Sequence, residues 1–175
     1  VTNNKSPIIK NKNEVQATID ISKNIEKNAE KLPVEKVNNS EIKRVFNISG
    51  LTQHQPLNQI NRLWQKFHAS DYLHKRLNKQ PKVAYVLYRD FSKNYQEATI
   101  TIGYDLSILS KITDKVEINL NNYNTILPRK SYSSEQIIKG WEGINYNKGV
   151  EAVLEIHHLG ITNQPESAQL LAAYK

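Results

Sequence analysis

The chain contains no cysteine. Disulfides, thiolate zinc sites, iron–sulfur clusters and a cysteine nucleophile are therefore excluded, and the sequence gives no indication of redox compartment. It contains no methionine either, not even at position 1, so Val1 reads as a trimmed or an alternative start and leaves room for a segment upstream. No apolar run approaches the roughly 20 residues of a membrane-spanning helix, and no secretory signal pattern is visible. Long basic runs are missing too. Lys and Arg number 24 against 17 Asp and Glu, net +7, but the excess is diffuse. It is weak support for nucleic acid as a partner. The glycines make no phosphate-binding loop: Gly140 and Gly143 flank Trp141 without the strand–turn–helix context such a loop requires. No serine lies in a nucleophile-elbow sequence. No cofactor is expected.

Aromatic residues are absent from residues 1–40, which are rich in Asn, Lys, Glu and Ser. Ile21, Ile25, Ala29 and Leu32 recur near helical spacing, with Pro33 to end a helix. The apolar stripe is thin, and an isolated helix of this length is marginal in water. These residues read as a tether or docking arm, helical or disordered. Residues 1–45 lack the apolar content of a helix-turn-helix, so this chain alone is not expected to contact nucleic acid directly.

From Glu41 onward the pattern is dense. "EIKRVFNISGL" reads as a strand, and His54-Gln55-Pro56 as a helix entry. Leu57, Ile60, Leu63, Trp64 and Phe67 follow helical spacing, continuing through Leu73 and Leu77. "KVAYVLYRD" and "EATITIGYDLS" read as a hairpin joined by "FSKNYQ". The order then recurs. "KVEINLNNYNTIL" is a strand region bent at Asn121-Asn122. The next element is a helix begun at Ser133, with Gln136 as its capping-box partner and Ile137, Ile138, Trp141 and Ile144 as its apolar face. "EAVLEIHHL" is a strand and "SAQLLAAY" most simply closes a second hairpin with it, although its Ala and Leu content also suits a short helix. The chain thus reads as βαββ twice, with halves at about 41–107 and 114–175 and one Trp on each helix. The expected fold is α+β: an antiparallel sheet with two helices on one face and a ligand groove on the other.

"INRLWQKF", "YVLYRDFSKNYQEATITIGYDL", "NNYNTIL", Trp141 and "VLEIHH" stand in an order that resembles the GyrI-like, AraC-type effector-binding domain. That module occurs in multidrug-responsive regulators, in integron-associated binding proteins and in the gyrase inhibitory protein. The resemblance spans roughly Glu41 to Lys175. It implies a groove for small, often cationic and aromatic molecules, with a glutamate of the penultimate strand on the groove floor. Glu155 matches that position, and His157 stands where the family often has an aromatic residue.

On pattern alone Glu155 is a solvent-facing or locally paired acid, since a buried charge is costly without a partner. The resemblance makes it the groove carboxylate. Tyr85, Tyr88, Tyr104 and Tyr123 fall on strands and are individually structural, but as a group they are candidates for walls around a planar cation. Trp64 reads as core, whereas Trp141 is placed equally by core packing and by the pocket. His157 shares a face with Glu155; the pair lacks a third ligand, so no metal site is expected. His54, His68 and His74 read as surface residues. Asp90 and Asp105 read as turn residues.

The expected function is a small-molecule binding module for amphipathic, cationic aromatic ligands. It would act as a sensor linked to transcriptional regulation if an output domain is attached, and as a sequestering protein if not. The alternatives are a hydrolase using Glu155 with Tyr123 or His157, and a protein-binding role like gyrase inhibition. No catalytic residue is assigned. A homodimer and an upstream output domain are the arrangements left open. The resemblance favours the cytoplasm, with a tethered or exported form as the alternative.

Overall fold

Short apolar and β-branched runs, some alternating and some continuous, make strands the dominant element of the described residues. The computed structural model describes residues 44–175; the arm read over residues 1–40 lies outside them. In chain order the elements are β1 (Val45–Pro56), α1 (Ile60–His68), α2 (Asp71–His74), β2 (Val83–Arg89), β3 (Glu97–Asp105), β4 (Val116–Asn119), β5 (Asn124–Lys130), α3 (Ser134–Gly140), β6 (Val150–Leu159) and β7 (Pro165–Tyr174). The seven strands form one sheet in the order β4-β1-β3-β2-β6-β7-β5. Every pairing is antiparallel. The described residues are therefore α+β, with few helices.

The sheet has to curl. Its two edge strands, β4 and β5, are separated only by Leu120–Tyr123. Laid flat, seven strands put their outer edges about 29 Å apart, at roughly 4.8 Å per gap. The chain from Asn119 to Asn124 reaches about 18 Å at full extension, and a 3-10 turn at Leu120–Asn122 shortens it. A single bent segment thus ties one edge of the sheet toward the other, at the Asn121-Asn122 bend expected from the sequence.

Strand register sorts the side chains onto two faces. Val86 lies opposite Glu155, Tyr88 opposite Val153 and Ala84 opposite His157. These residues share the face on which Leu63 and Phe67 of α1 and Leu73 of α2 pack with Val86, Ile100, Ile102 and Leu170. The other face carries Phe46, Ile48, Leu87, Ile118, Leu154, Ile156 and Leu171. This helix-free face was expected to be an open groove. Instead, because the sheet curls, it is largely filled by its own apolar cluster. One cavity of about 330 Å³ remains there, lined by Leu87, Arg89, Glu117, Tyr123 and Glu151 among others.

Three local readings need correction. β1 runs on through Pro56, which pairs with Glu97, so His54-Gln55-Pro56 is strand end and not helix entry. Pro is tolerated there because a terminal strand residue needs no ladder N–H. α1 does not continue to Leu77. It stops at His68, and the Ser70 side chain accepts from the Leu73 amide (3.3 Å) to start the separate turn α2. Ile138 is 70 % exposed. Adjacent helix positions are about 100° apart, so Ile137 and Ile138 cannot both face the core. The capping box at Ser133 and Gln136 is present as expected.

Candidate functional site

β6 lies near the middle of the sheet, between β2 and β7, so a side chain on its helix-covered face is screened from solvent on all sides. Glu155 holds that position and is only 7 % exposed. Its Oε1 accepts from the Tyr88 hydroxyl at 3.4 Å and from the Trp141 indole N–H at 3.3 Å. Its Oε2 lies 3.0 Å from His157 Nε2. The first two contacts are long for hydrogen bonds and correspondingly weak. An ionised carboxylate offers about four acceptor sites, so Oε1 is loosely held and retains capacity for another donor. Among the described residues no Lys or Arg pairs with Glu155.

Aromatic rings enclose the carboxylate. Tyr88 and Trp141 meet edge to face, centroids 4.8 Å apart. Trp64, from α1, sets its ring edge to face with His157 at 5.4 Å. Trp64 also stacks on His68 at 5.6 Å. Trp64 was read from the sequence as core; it is packed against the core and also touches the site. Its correspondence with Trp141, one Trp per helix, was the signal for this role. Burial first, and then the adjacent Glu155 carboxylate, hold the Tyr88 hydroxyl well above the usual tyrosine value. Tyr88 is therefore a neutral donor to Glu155.

The structure brings together Glu155, Tyr88, Trp141 and His157 from the expected set. The other three tyrosines lie elsewhere. Tyr85 neighbours Tyr88 on β2 with odd parity and points to the opposite face, where its ring packs on Phe46 at 4.8 Å. Tyr123 belongs to the same opposite cluster. Burial is the larger cause raising both hydroxyls to about 12, with Asp105 adding to the effect at Tyr85 and Glu151 at Tyr123. Tyr104 is on the helix-covered face, but its hydroxyl meets His74 Nε2 at 3.1 Å. His74 Nδ1 lies 2.7 Å from the Ser70 carbonyl oxygen. A carbonyl only accepts, so Nδ1 donates to it. His74 is thus half-buried and partnered, contrary to its reading as a surface residue. Asp105 does serve a turn, its carboxylate accepting from the Ser107 amide at 2.9 Å.

A small cavity of about 150 Å³ reaches the cluster at His157, between Tyr132, Ser134, Ile137 and Pro165. Glu155 does not line it. Cavity size and chemistry thus point to different places, since a much larger cavity sits at the far end of β6. The buried carboxylate is the more informative feature, because a buried acid with no Lys or Arg partner is rare whereas surface concavities are common. Glu155 and His157 supply only two ligands, and among the described residues no group of three His, Cys, Asp or Glu is placed to hold a metal ion. No described helix is long and apolar enough to cross a membrane. No protein-family model matches the chain, and no curated protein matches it significantly.

Proposed function

We propose that the chain is a small-molecule binding module of the GyrI-like kind, with Glu155 as the counter-charge for an amphipathic, cationic aromatic ligand. One observation carries this reading: a buried carboxylate contacted by Tyr88, Trp141 and His157, with no Lys or Arg partner among the described residues. Removing a carboxylate from water costs several kcal/mol, roughly, unless a positive charge compensates it. An entering cation supplies that charge, and a neutral ligand of the same shape does not. Trp141, Trp64 and Tyr88 supply aromatic rings for a planar ligand, and a ring face turned to a cation attracts it by about 0.5–2 kcal/mol. Glu155 is buried and lines no cavity in this conformation, so a ligand reaches it only if the surrounding aromatic side chains move.

The proposed architecture is a tandem βαββ duplication. Its support is connectivity. From the β2–β6 seam outward, the orders β2-β3-β1 and β6-β7-β5 are the same in each half, and α1 and α3 each come directly after the outermost of those strands. In this reading β4 is an addition at one edge, and Glu155 sits beside the seam.

The test is a titration with a planar cationic dye and a neutral planar analogue, monitored by Trp fluorescence. The expected result is cation binding that Glu155→Gln weakens at least tenfold (~1.4 kcal/mol), with the neutral dye little affected. Equal binding of the cation by both proteins would end the counter-charge role.

A second reading, hydrolysis, is favoured by the 3.0 Å contact of His157 with Glu155, which is acid–base geometry. Tyr123 plays no part in it, being on the other face. Turnover of an activated ester that disappears in both Glu155→Gln and His157→Gln is the expected sign of it.

A further inference from the structure

A cavity of about 650 Å³ opens at the end of the sheet where the chain enters β2 and leaves β6. It includes neither Glu155 nor a tryptophan, and it shares Glu166 with the small cavity at His157. Its volume falls within the range of small-molecule sites, ~300–1,000 Å³. Its lining has two parts. Pro81, Val83, Leu159 and Ile161 give an apolar wall, and Ile161 is 92 % exposed at the β6–β7 turn. Lys82, Arg129 and His158 bring cationic or protonatable groups, against the single carboxylate of Glu166.

The cations come from different elements, Lys82 from the approach to β2 and Arg129 from β5. Two like charges converging on one concavity repel each other, and low-dielectric walls concentrate their field. Among the described residues neither is in an ion pair. The Arg129 Nε–H donates to Ser167 Oγ at 3.1 Å, which orients the guanidinium and leaves its terminal amino groups for another acceptor. The turn that bears Ile161 is tied to Gln80, another lining residue, whose side-chain amide donates to the Ile161 carbonyl at 2.6 Å. His158 Nε2 is 2.9 Å from Gln169 Oε1, so that ring is oriented as well.

We infer that this cavity binds an amphipathic anion: a carboxylate or sulfonate head against Lys82 and Arg129, on a short apolar body laid along Pro81, Val83 and Leu159. It is a second site, opposite in charge preference to the one at Glu155, and does not depend on that reading.

The test uses the full chain and the fluorescent probe anilinonaphthalene sulfonate, with decanoate and decyltrimethylammonium as competitors of opposite charge. Decanoate is expected to displace the probe and the ammonium is not. The double variant Lys82→Gln/Arg129→Gln is expected to bind the probe about tenfold more weakly, the loss of two charge-assisted contacts. Glu166→Gln removes the one opposing charge and is expected to bind it about two- to threefold more tightly; because a loosened fold also binds this probe, the gain counts only with an unchanged unfolding midpoint and with decanoate still displacing the probe. Glu155→Gln is expected to bind it unchanged. Unaltered affinity in the double variant, or equal displacement by the ammonium, overturns the proposal.

Discussion

Glu155 and Tyr88 form a pair in which burial and the neighbouring carboxylate keep the tyrosine hydroxyl protonated. The hydroxyl in turn donates to that carboxylate. Tyr85 and Tyr123 are held neutral to about 12 as well, chiefly by burial on the other face. An unfolded tyrosine ionises near its ordinary value of 10.0. The folded chain therefore keeps these protons where the unfolded chain has lost them. Their contribution is full below the unfolded value and is lost as pH rises through the folded values. Thermal stability is thus expected to be level up to about pH 10 and to fall steeply toward pH 12. Over the same interval, ultraviolet phenolate absorbance should show a late phase that coincides with unfolding. Titration of all nine tyrosines in one early phase, with the fold intact, would contradict this.

At the scale of single elements, α3 matters because it positions Trp141. It spans only Ser134–Gly140, and Trp141 is its C-cap. So short a helix is not stable by propensity and depends on its N-terminal cap. The Ser133 side chain accepts from the Gln136 amide at 3.2 Å, and the Gln136 side chain accepts from the Ser133 amide at 2.9 Å. Ser133→Ala is expected to lower stability by about 1 kcal/mol in chemical denaturation. It should also weaken the cationic dye, since fraying moves the Trp141 indole from Glu155. An unchanged denaturation midpoint would show that packing alone holds the helix. Local chemistry of this kind was legible from residue order: Ser133 and Gln136 stand three apart, alternation opens β3, and short apolar runs mark β2 and β6. Where elements end was less legible. Pro56 looked like a helix start because the strand pairing that claims it, with Glu97, is 41 residues away in sequence. The face of each tyrosine was hidden for the same reason. Parity along β2 separates Tyr85 from Tyr88, but only the register of Val86 against Glu155 says which of them meets the carboxylate.

Over the described residues as a whole, the sheet separates two apolar clusters that share its strands. On β6, Val153 belongs to the helix-covered cluster and Leu154 to the other, and both are fully buried. Both tryptophans report on the helix-covered side. If the sheet couples the clusters into one cooperative unit, damage on the far face must reach them. Leu154→Ala removes a buried side chain in a strand paired on both edges, between Leu87 and Leu171. It is expected to cost about 2–5 kcal/mol, the range for such truncations. The Trp-monitored midpoint should fall together with the midpoint of far-ultraviolet circular dichroism, because one transition carries both. The cationic dye should bind the folded variant nearly as tightly as wild type, since Leu154 points away from the carboxylate beside it. A Trp transition that stayed in place while the sheet signal shifted would mean that the curled face melts separately. The link at Leu120–Tyr123, which draws the two sheet edges together, would then be the first place to look for its opening.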